Sequence, residues 1–176
     1  HLPLPVGVSD YRLASTEYYY IDKTMMLKDF IDERPMVTLF TRPRRFGKTL
    51  NMDMIRTFFE KTDEDTSKYF TNKKIWAQGE NYRSFQGKYP VIFISLKDVK
   101  HNSWKNMSES IGSIVSQEYR RHSELAISPN LDKRQIEFYE KMVSAQYSDV
   151  ELEKSLMFLS EMLHQHYGEG AVVIVD

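Results

Sequence analysis

Gly47-Lys48-Thr49 lies between a short apolar run, Met36-Val37-Thr38-Leu39-Phe40, and a stretch whose apolar residues Leu50, Met54, Ile55, Phe58 and Phe59 recur at helical spacing to about Glu60. The run before it is short and rich in strand formers, so it reads as a buried strand. The order strand, loop, Gly-Lys-Thr, helix constrains this chain more than any other feature. Such a loop points successive backbone N–H groups inward at an anion, and the helix behind it adds the positive end of its dipole. The lysine supplies a point charge between outer phosphates, and the hydroxyl that follows reaches a metal ion.

The candidate cradle comprises Arg42, Pro43, Arg44, Arg45, Phe46, Gly47, Lys48 and Thr49, with Leu50 opening the helix. It departs from G-x-x-x-x-G-K-[ST] at its first position, where Arg42 replaces glycine. An arginine pays more than glycine to adopt positive φ and obstructs a close backbone approach. Two readings stay open: a variant loop path in which Arg42 points outward or toward phosphate, or a weakened affinity. Arg44, Arg45 and Lys48 add positive charge where phosphate would sit.

A chain of 176 residues is one domain or part of a larger one. With 24 basic against 25 acidic residues it has no general polyanion-binding surface, so any anion site is local. The absence of cysteine excludes a disulfide scaffold and thiolate metal or redox chemistry. The apolar runs, such as Ala171–Val175, are far too short to span a bilayer, and no membrane partner is expected. His1-Leu2-Pro3-Leu4-Pro5 lacks the basic and apolar regions of a secretory signal, so a cytoplasmic location is expected.

Along the chain, Leu2 to Val8 reads as extended and Tyr18-Tyr19-Tyr20-Ile21 as β-prone. Asp22 is placed to cap a helix carrying Met26, Leu27, Phe30 and Ile31, ended by Arg34-Pro35. Residues 61–89 read as short turns anchored by Phe70, Ile75, Trp76 and Phe85. Pro90 to Leu96 is a strand buried on both faces. Ser103 caps a long helix whose inner stripe is Trp104, Met107, Ile111, Ile114, Val115 and Tyr119; a further helix spans Asp132 to about Gln146. Ser148-Asp149-Val150-Glu151 forms a capping box for a helix through Leu152, Leu156, Leu159 and Leu163, and Gly168 suits a left-handed cap. The alternation of strands and helices argues an α/β fold, three-layered with a mostly parallel sheet. No linker divides residues 1–176.

The last apolar run, residues 171–176, ends in Asp176. A strand of this form beside a phosphate cradle supplies a carboxylate that holds Mg²⁺, usually through water. Paired with the strand, loop and helix of residues 36–60, Asp176 becomes the second candidate metal residue beside Thr49. Lys48 and Asp176 are then the candidate catalytic pair, in a site for a nucleotide with Mg²⁺.

The stretch Leu39 to Asn51 closely resembles the FTRPRRFGKTLN loop of bacterial AAA-ATPase-like proteins, members of the P-loop nucleoside-triphosphatase superfamily. The resemblance extends to Leu4-Pro5-Val6-Gly7, Tyr20-Ile21-Asp22-Lys23-Thr24, Tyr89 through Val99, Phe158-Leu159-Ser160 and Val173-Ile174-Val175-Asp176. It implies ATP as the nucleotide and an arginine as the ordinary residue at position 42. It implies too that a glutamate follows Asp176 to polarise the attacking water, that further strands follow, and that a nuclease-like domain of the PD-(D/E)XK type is often attached. On this basis residues 1–176 are expected to be the N-terminal portion of the domain. A later strand is expected between the cradle strand and the Asp176 strand, since without it both would present open edges.

Three functions remain distinguishable. The first is Mg²⁺-ATP binding, with hydrolysis in the full-length protein and an inactive fragment here. The second is a non-hydrolysing nucleotide switch or protein-interaction module. The third is direct nucleic-acid association through Arg42, Arg44 and Arg45. Tyr18–Tyr20 read as core or as a base-stacking surface, Asp22 as a cap or a nucleotide ligand, and Asp98 as loop or site. His164 and His166, two apart on a helix, face different ways and share no metal.

Overall fold

The structure, a computed structural model, describes residues 1–5, 7–33, 37–39, 48–100 and 103–176, with 37–39 and 48 described by their backbone. The elements in order are α1 (Tyr11–Glu17), α2 (Met25–Glu33), β1 (Val37–Leu39), α3 (Lys48–Phe59), α4 (Glu80–Arg83), β2 (Val91–Ile94), α5 (Trp104–Arg121), α6 (Lys133–Val143), α7 (Asp149–Tyr167) and β3 (Val172–Val175). Short 3-10 turns stand at Thr66–Tyr69, Trp76–Gln78 and Ser123–Ile127. The chain is mixed α/β with parallel strand pairing, and the strand order is β1-β3-β2.

No strand stands between β1 and β3 among the described residues; β3 pairs directly with β1 and so occupies the middle of the sheet. The backbone groups of each strand need a ladder partner, and here β3 meets that need on both sides.

Contacts separate two compact units. The first comprises His1–Val91, Val172–Ile174 and Asp176; the second comprises Ile92–Ala171 and Val175. The core of the first unit is aromatic. Phe58 and Phe70 meet edge to face at 5.0 Å, Tyr11 stacks on Phe70 at 4.9 Å, and Phe30 and Phe59 pack at 5.1 Å. Such rings bury large areas and prefer these offset and edge geometries. Met52, Met54 and Ile55 of α3 complete it, all essentially without exposure.

In the second unit α5 packs against α6 and α7. Tyr119 of α5 is fully buried and donates its hydroxyl to the Ser155 carbonyl of α7 at 2.5 Å. The caps are those expected. Ser103 accepts from Asn106 N–H, Ser148 and Glu151 form a reciprocal capping box, and Gly168 closes α7 in the left-handed region at φ 76. Asp132 and Gln135 form a second capping box that starts α6.

Two local expectations fail. Trp104 is 79% exposed, because it is the first residue of α5 and the helix is buried further along, at Gly112, Val115, Ser116, Glu118 and Tyr119. Tyr18–Ile21 is not a strand: Tyr18 ends α1, Tyr19 N–H donates to Pro3 C=O, and Tyr20 turns edge-on to Tyr11 at 5.4 Å. Strand propensity reflects fit to a pleated, half-buried surface, and three tyrosines find their packing here without one.

Candidate functional site

Arg42, Pro43, Arg44, Arg45, Phe46 and Gly47 lie outside the described residues. What is described is the frame on either side. β1 ends at Leu39, and α3, a helix of 12 residues, begins at Lys48, so Lys48 and Thr49 stand in its first turn. Thr49 and Leu50 are half-buried in its first turn. That turn carries no acidic residue, and Arg56 stands in the last turn. The first feature suits an anion at the N-terminus, since a carboxylate there would compete for the same dipole and amides, while Arg56 complements the opposite end of the helix.

The position of α3 is fixed from several directions. Asp53, 5% exposed, accepts Tyr11 N–H of α1 at 2.7 Å through Oδ2 and the Arg56 guanidinium through Oδ1. Thr57 donates its hydroxyl back to the Asp53 carbonyl at 2.7 Å. Tyr20 donates to Met54 Sδ at 3.4 Å; burial pushes its phenol up to about 12, so it stays protonated as this donor. Burial likewise pushes the Tyr11 phenol far above its ordinary value, and its hydroxyl donates to the Tyr69 carbonyl at 2.7 Å.

Asp176 directly follows β3, is half-buried, and belongs to the same compact unit as α3. β3 is β1's neighbour in the sheet. The strand that precedes residues 42–49 and the strand that precedes Asp176 therefore lie side by side. Thr49 hydroxyl and Asp176 carboxylate are hard oxygen donors, the chemistry Mg²⁺ selects. Among the described residues no group of three or more His, Asp or Glu gathers to hold a metal by itself. A Mg²⁺ ion bound here would come with substrate phosphates and water completing its octahedron, its usual mode.

The remaining candidates resolve as structure. Asp22 Oδ1 accepts from Thr24 N–H at 2.8 Å and Thr24 hydroxyl at 2.6 Å, and Oδ2 accepts from Lys74 N–H at 2.8 Å. Burial pushes this carboxyl up, but these bonds outweigh it and hold the group below its ordinary value. Asp98 is exposed in a turn. His166 Nδ1 pairs with Ser128 hydroxyl at 2.6 Å, and His164 is exposed.

Sequence reasoning gave no sign of a polar cluster buried in the second unit. Glu118 and His122 are each 4% exposed. His122 Nδ1 lies 3.3 Å from Glu124, which also accepts the Tyr167 hydroxyl at 2.8 Å. Burial would raise the Glu124 carboxyl, yet the bonds from His122 and Tyr167 prevail and hold it at about 2. The signal that could have found Glu118 is its helical spacing from Ile111, Ile114 and Val115, which sets it on the apolar stripe of α5.

No helix among the described residues is long and apolar enough to cross a membrane. A family model described as predicted AAA-ATPase matches residues 5–176. No curated protein and no solved structure matches the chain significantly.

Proposed function

The chain belongs to the AAA-ATPase-like family, and from that membership we propose that it is a P-loop module that binds ATP together with Mg²⁺. One observation carries the reading: β1 precedes Gly47-Lys48-Thr49 in the chain, α3 begins at Lys48, and Asp176 directly follows β3, the neighbour of β1 in the sheet. In this reading the domain is the N-terminal part of a three-layer P-loop fold, and residues 42–50 wrap the phosphates. Backbone N–H groups of the loop and the first turn of α3 meet the anion. Lys48 places its charge on the outer phosphates, and Arg44 or Arg45 adds to it. Thr49 hydroxyl and, through water, the Asp176 carboxylate would hold the Mg²⁺ ion. Bound Mg²⁺ neutralises charge on the phosphate oxygens. In this reading hydrolysis of the bound nucleotide drives or regulates attached domains or partners.

Titration of fluorescent ATP into the protein, with and without Mg²⁺, tests the reading. Wild type binds, more tightly with the ion. Lys48→Ala loses a charge-assisted contact of about 1.5–3 kcal/mol, roughly a 10- to 150-fold rise in Kd. Thr49→Ala and Asp176→Asn lose the Mg²⁺ dependence ahead of nucleotide binding itself. Binding by Lys48→Ala as tight as wild type, or none by wild type, ends the proposal.

A further inference from the structure

The groove between α6 and α7, within the second unit, holds more apolar surface than the seam between the helices needs. The buried residues of the two helices are Tyr139 and Met142 on α6 and Ser155, Leu159, Met162 and Leu163 on α7. Phe138 and Phe158 stand beside them, half-buried, and meet edge to face at 5.0 Å. With Met162 they line a cavity of about 220 Å³. Polar bridges from helix to helix bracket it. Gln135 donates to Gln165 Oε1 at 2.6 Å on one side of Phe138, and Lys141 pairs with Glu151 at 3.1 Å on the other. Lys141 stands six residues after Gln135, about 9 Å along the helix. A slot that short, closed at both ends, takes a small molecule rather than the face of a partner helix. An apolar cavity of about 150 Å³ already accepts benzene, so one ring with a short polar chain fits here.

The rim carries both signs of charge, unpaired. Arg134 of α6 and Glu161 of α7 line the cavity, are exposed, and make no side-chain hydrogen bond or ion pair with any described residue. Asp132, the third charge there, is engaged: its carboxylate accepts Gln135 N–H at 2.9 Å in the capping box of α6, at the positive end of that helix. A ligand with only a negative charge would meet Glu161 as well as Arg134, and one with only a positive charge would meet Arg134 as well as Glu161. A ligand bearing both charges satisfies both groups. The guanidinium fork is suited to a carboxylate, which it takes on two parallel N–H donors.

We propose that this cavity binds a free α-amino acid with a single aromatic ring: the ring lies on Phe138, Phe158 and Met162, the carboxylate meets Arg134, and the ammonium meets Glu161. A mostly apolar floor with a few convergent polar groups is the ordinary make-up of a small-molecule site. The ring packs on Phe138 and Phe158 in the edge and offset geometries that aromatic groups prefer, and supplies most of the contact area. The two rim pairs are open to water, so they select the zwitterion more than they tighten its binding.

Titration of L-phenylalanine into the 176-residue chain, followed by the Met162 methyl resonance in NMR, tests this. Met162 is 2% exposed and lines the cavity, so its methyl, identified by its absence in Met162→Leu, shifts saturably as the ring enters. L-Alanine, which lacks the ring, leaves it in place. Arg134 and Glu161 are exposed and without partners, so Arg134→Ala and Glu161→Gln keep the wild-type circular dichroism. Each weakens L-phenylalanine binding roughly fivefold, the effect of one exposed ion pair. Two analogues assign the pairs. Phenylalanine amide has no carboxylate, and Arg134→Ala binds it no more weakly than wild type does. N-acetylphenylalanine has no ammonium, and Glu161→Gln binds it no more weakly than wild type does. The proposal is overturned if L-phenylalanine leaves the Met162 methyl unmoved, if L-alanine moves it equally, or if either charge variant binds L-phenylalanine as tightly as wild type.

Discussion

Asp53 is the residue whose removal the structure prices most directly. Its Oδ2 accepts the buried Tyr11 N–H at 2.7 Å, and its Oδ1 takes the Arg56 guanidinium. In Asp53→Ala the two lost partners fare differently. Arg56 is 28% exposed and can swing its guanidinium into water, so that half costs little. The Tyr11 amide begins α1 against α3 and has no such exit, because Tyr11 is fully buried. A buried donor left without an acceptor costs about 1–3 kcal/mol, and loss of the charge-assisted bond puts the expected value at about 2–3 kcal/mol. Asp53→Asn keeps an oxygen for the Tyr11 amide and loses about 1 kcal/mol. Urea unfolding followed by circular dichroism gives both values from the midpoint at unchanged slope. A loss below about 0.5 kcal/mol in Asp53→Ala, within the noise of surface substitutions, would refute the reasoning. So would equal losses in the alanine and asparagine variants, since the bond to the amide would then be irrelevant.

Other outcomes follow from single contacts. A Cβ at Gly112 would lie 2.0 Å from the Tyr147 hydroxyl oxygen. Gly112→Ala is therefore destabilising by about 1–2 kcal/mol by thermal or urea unfolding, although alanine favours helix by about 1 kcal/mol. In a Tyr147→Ala background the same change becomes stabilising, and a cost that persists there removes the clash as its cause. The Glu124 carboxyl is held at about 2, below its ordinary 4.5, so its stabilisation is complete above about pH 4.5 and disappears as pH falls toward 2. The stability gap between wild type and Glu124→Gln, measured by urea midpoints across that window, closes with falling pH; a constant gap contradicts the assignment. Ser148→Ala removes the cap of α7 and costs about 1 kcal/mol by the same assay, while Ser144→Ala, outside the helix start, changes little.

Much of the frame was readable because local chemistry decides it. Ser103, Ser148 and Gly168 cap the helices they were expected to cap, since a hydroxyl before an apolar period and a glycine after one have few other uses. The β1 and β3 runs are strands as their apolar content requires. What escaped was set by tertiary packing. α1 carries two fully buried residues, Tyr11 and Ala14, too few for a helical period to show, and Asp10 as its cap was the available clue. The same limit misplaced Trp104, apolar by type but standing ahead of the buried part of its helix.

The candidate site was read from one motif, and one other family-like segment, Tyr20 to Thr24, packs against α3, the helix that opens at Lys48. In Tyr20-Ile21-Asp22-Lys23-Thr24, Tyr20 touches Met54 of α3 and Tyr11, while Ile21 is 63% exposed. Asp22 and Thr24 hold the amides of Lys74 and Ile75, with Thr24 hydroxyl accepting from Ile75 N–H at 3.1 Å. Ile75 is fully buried. Three of the five residues thus spend their polar atoms on the packing around α3, and the Asp22 carboxylate already has three donors on its two oxygens. A nucleotide ligand must offer oxygens that the fold has not already used. The proposal therefore rests on Thr49, at the start of α3, and Asp176, directly after β3, as the hard oxygen donors that the chemistry of a phosphate loop calls for.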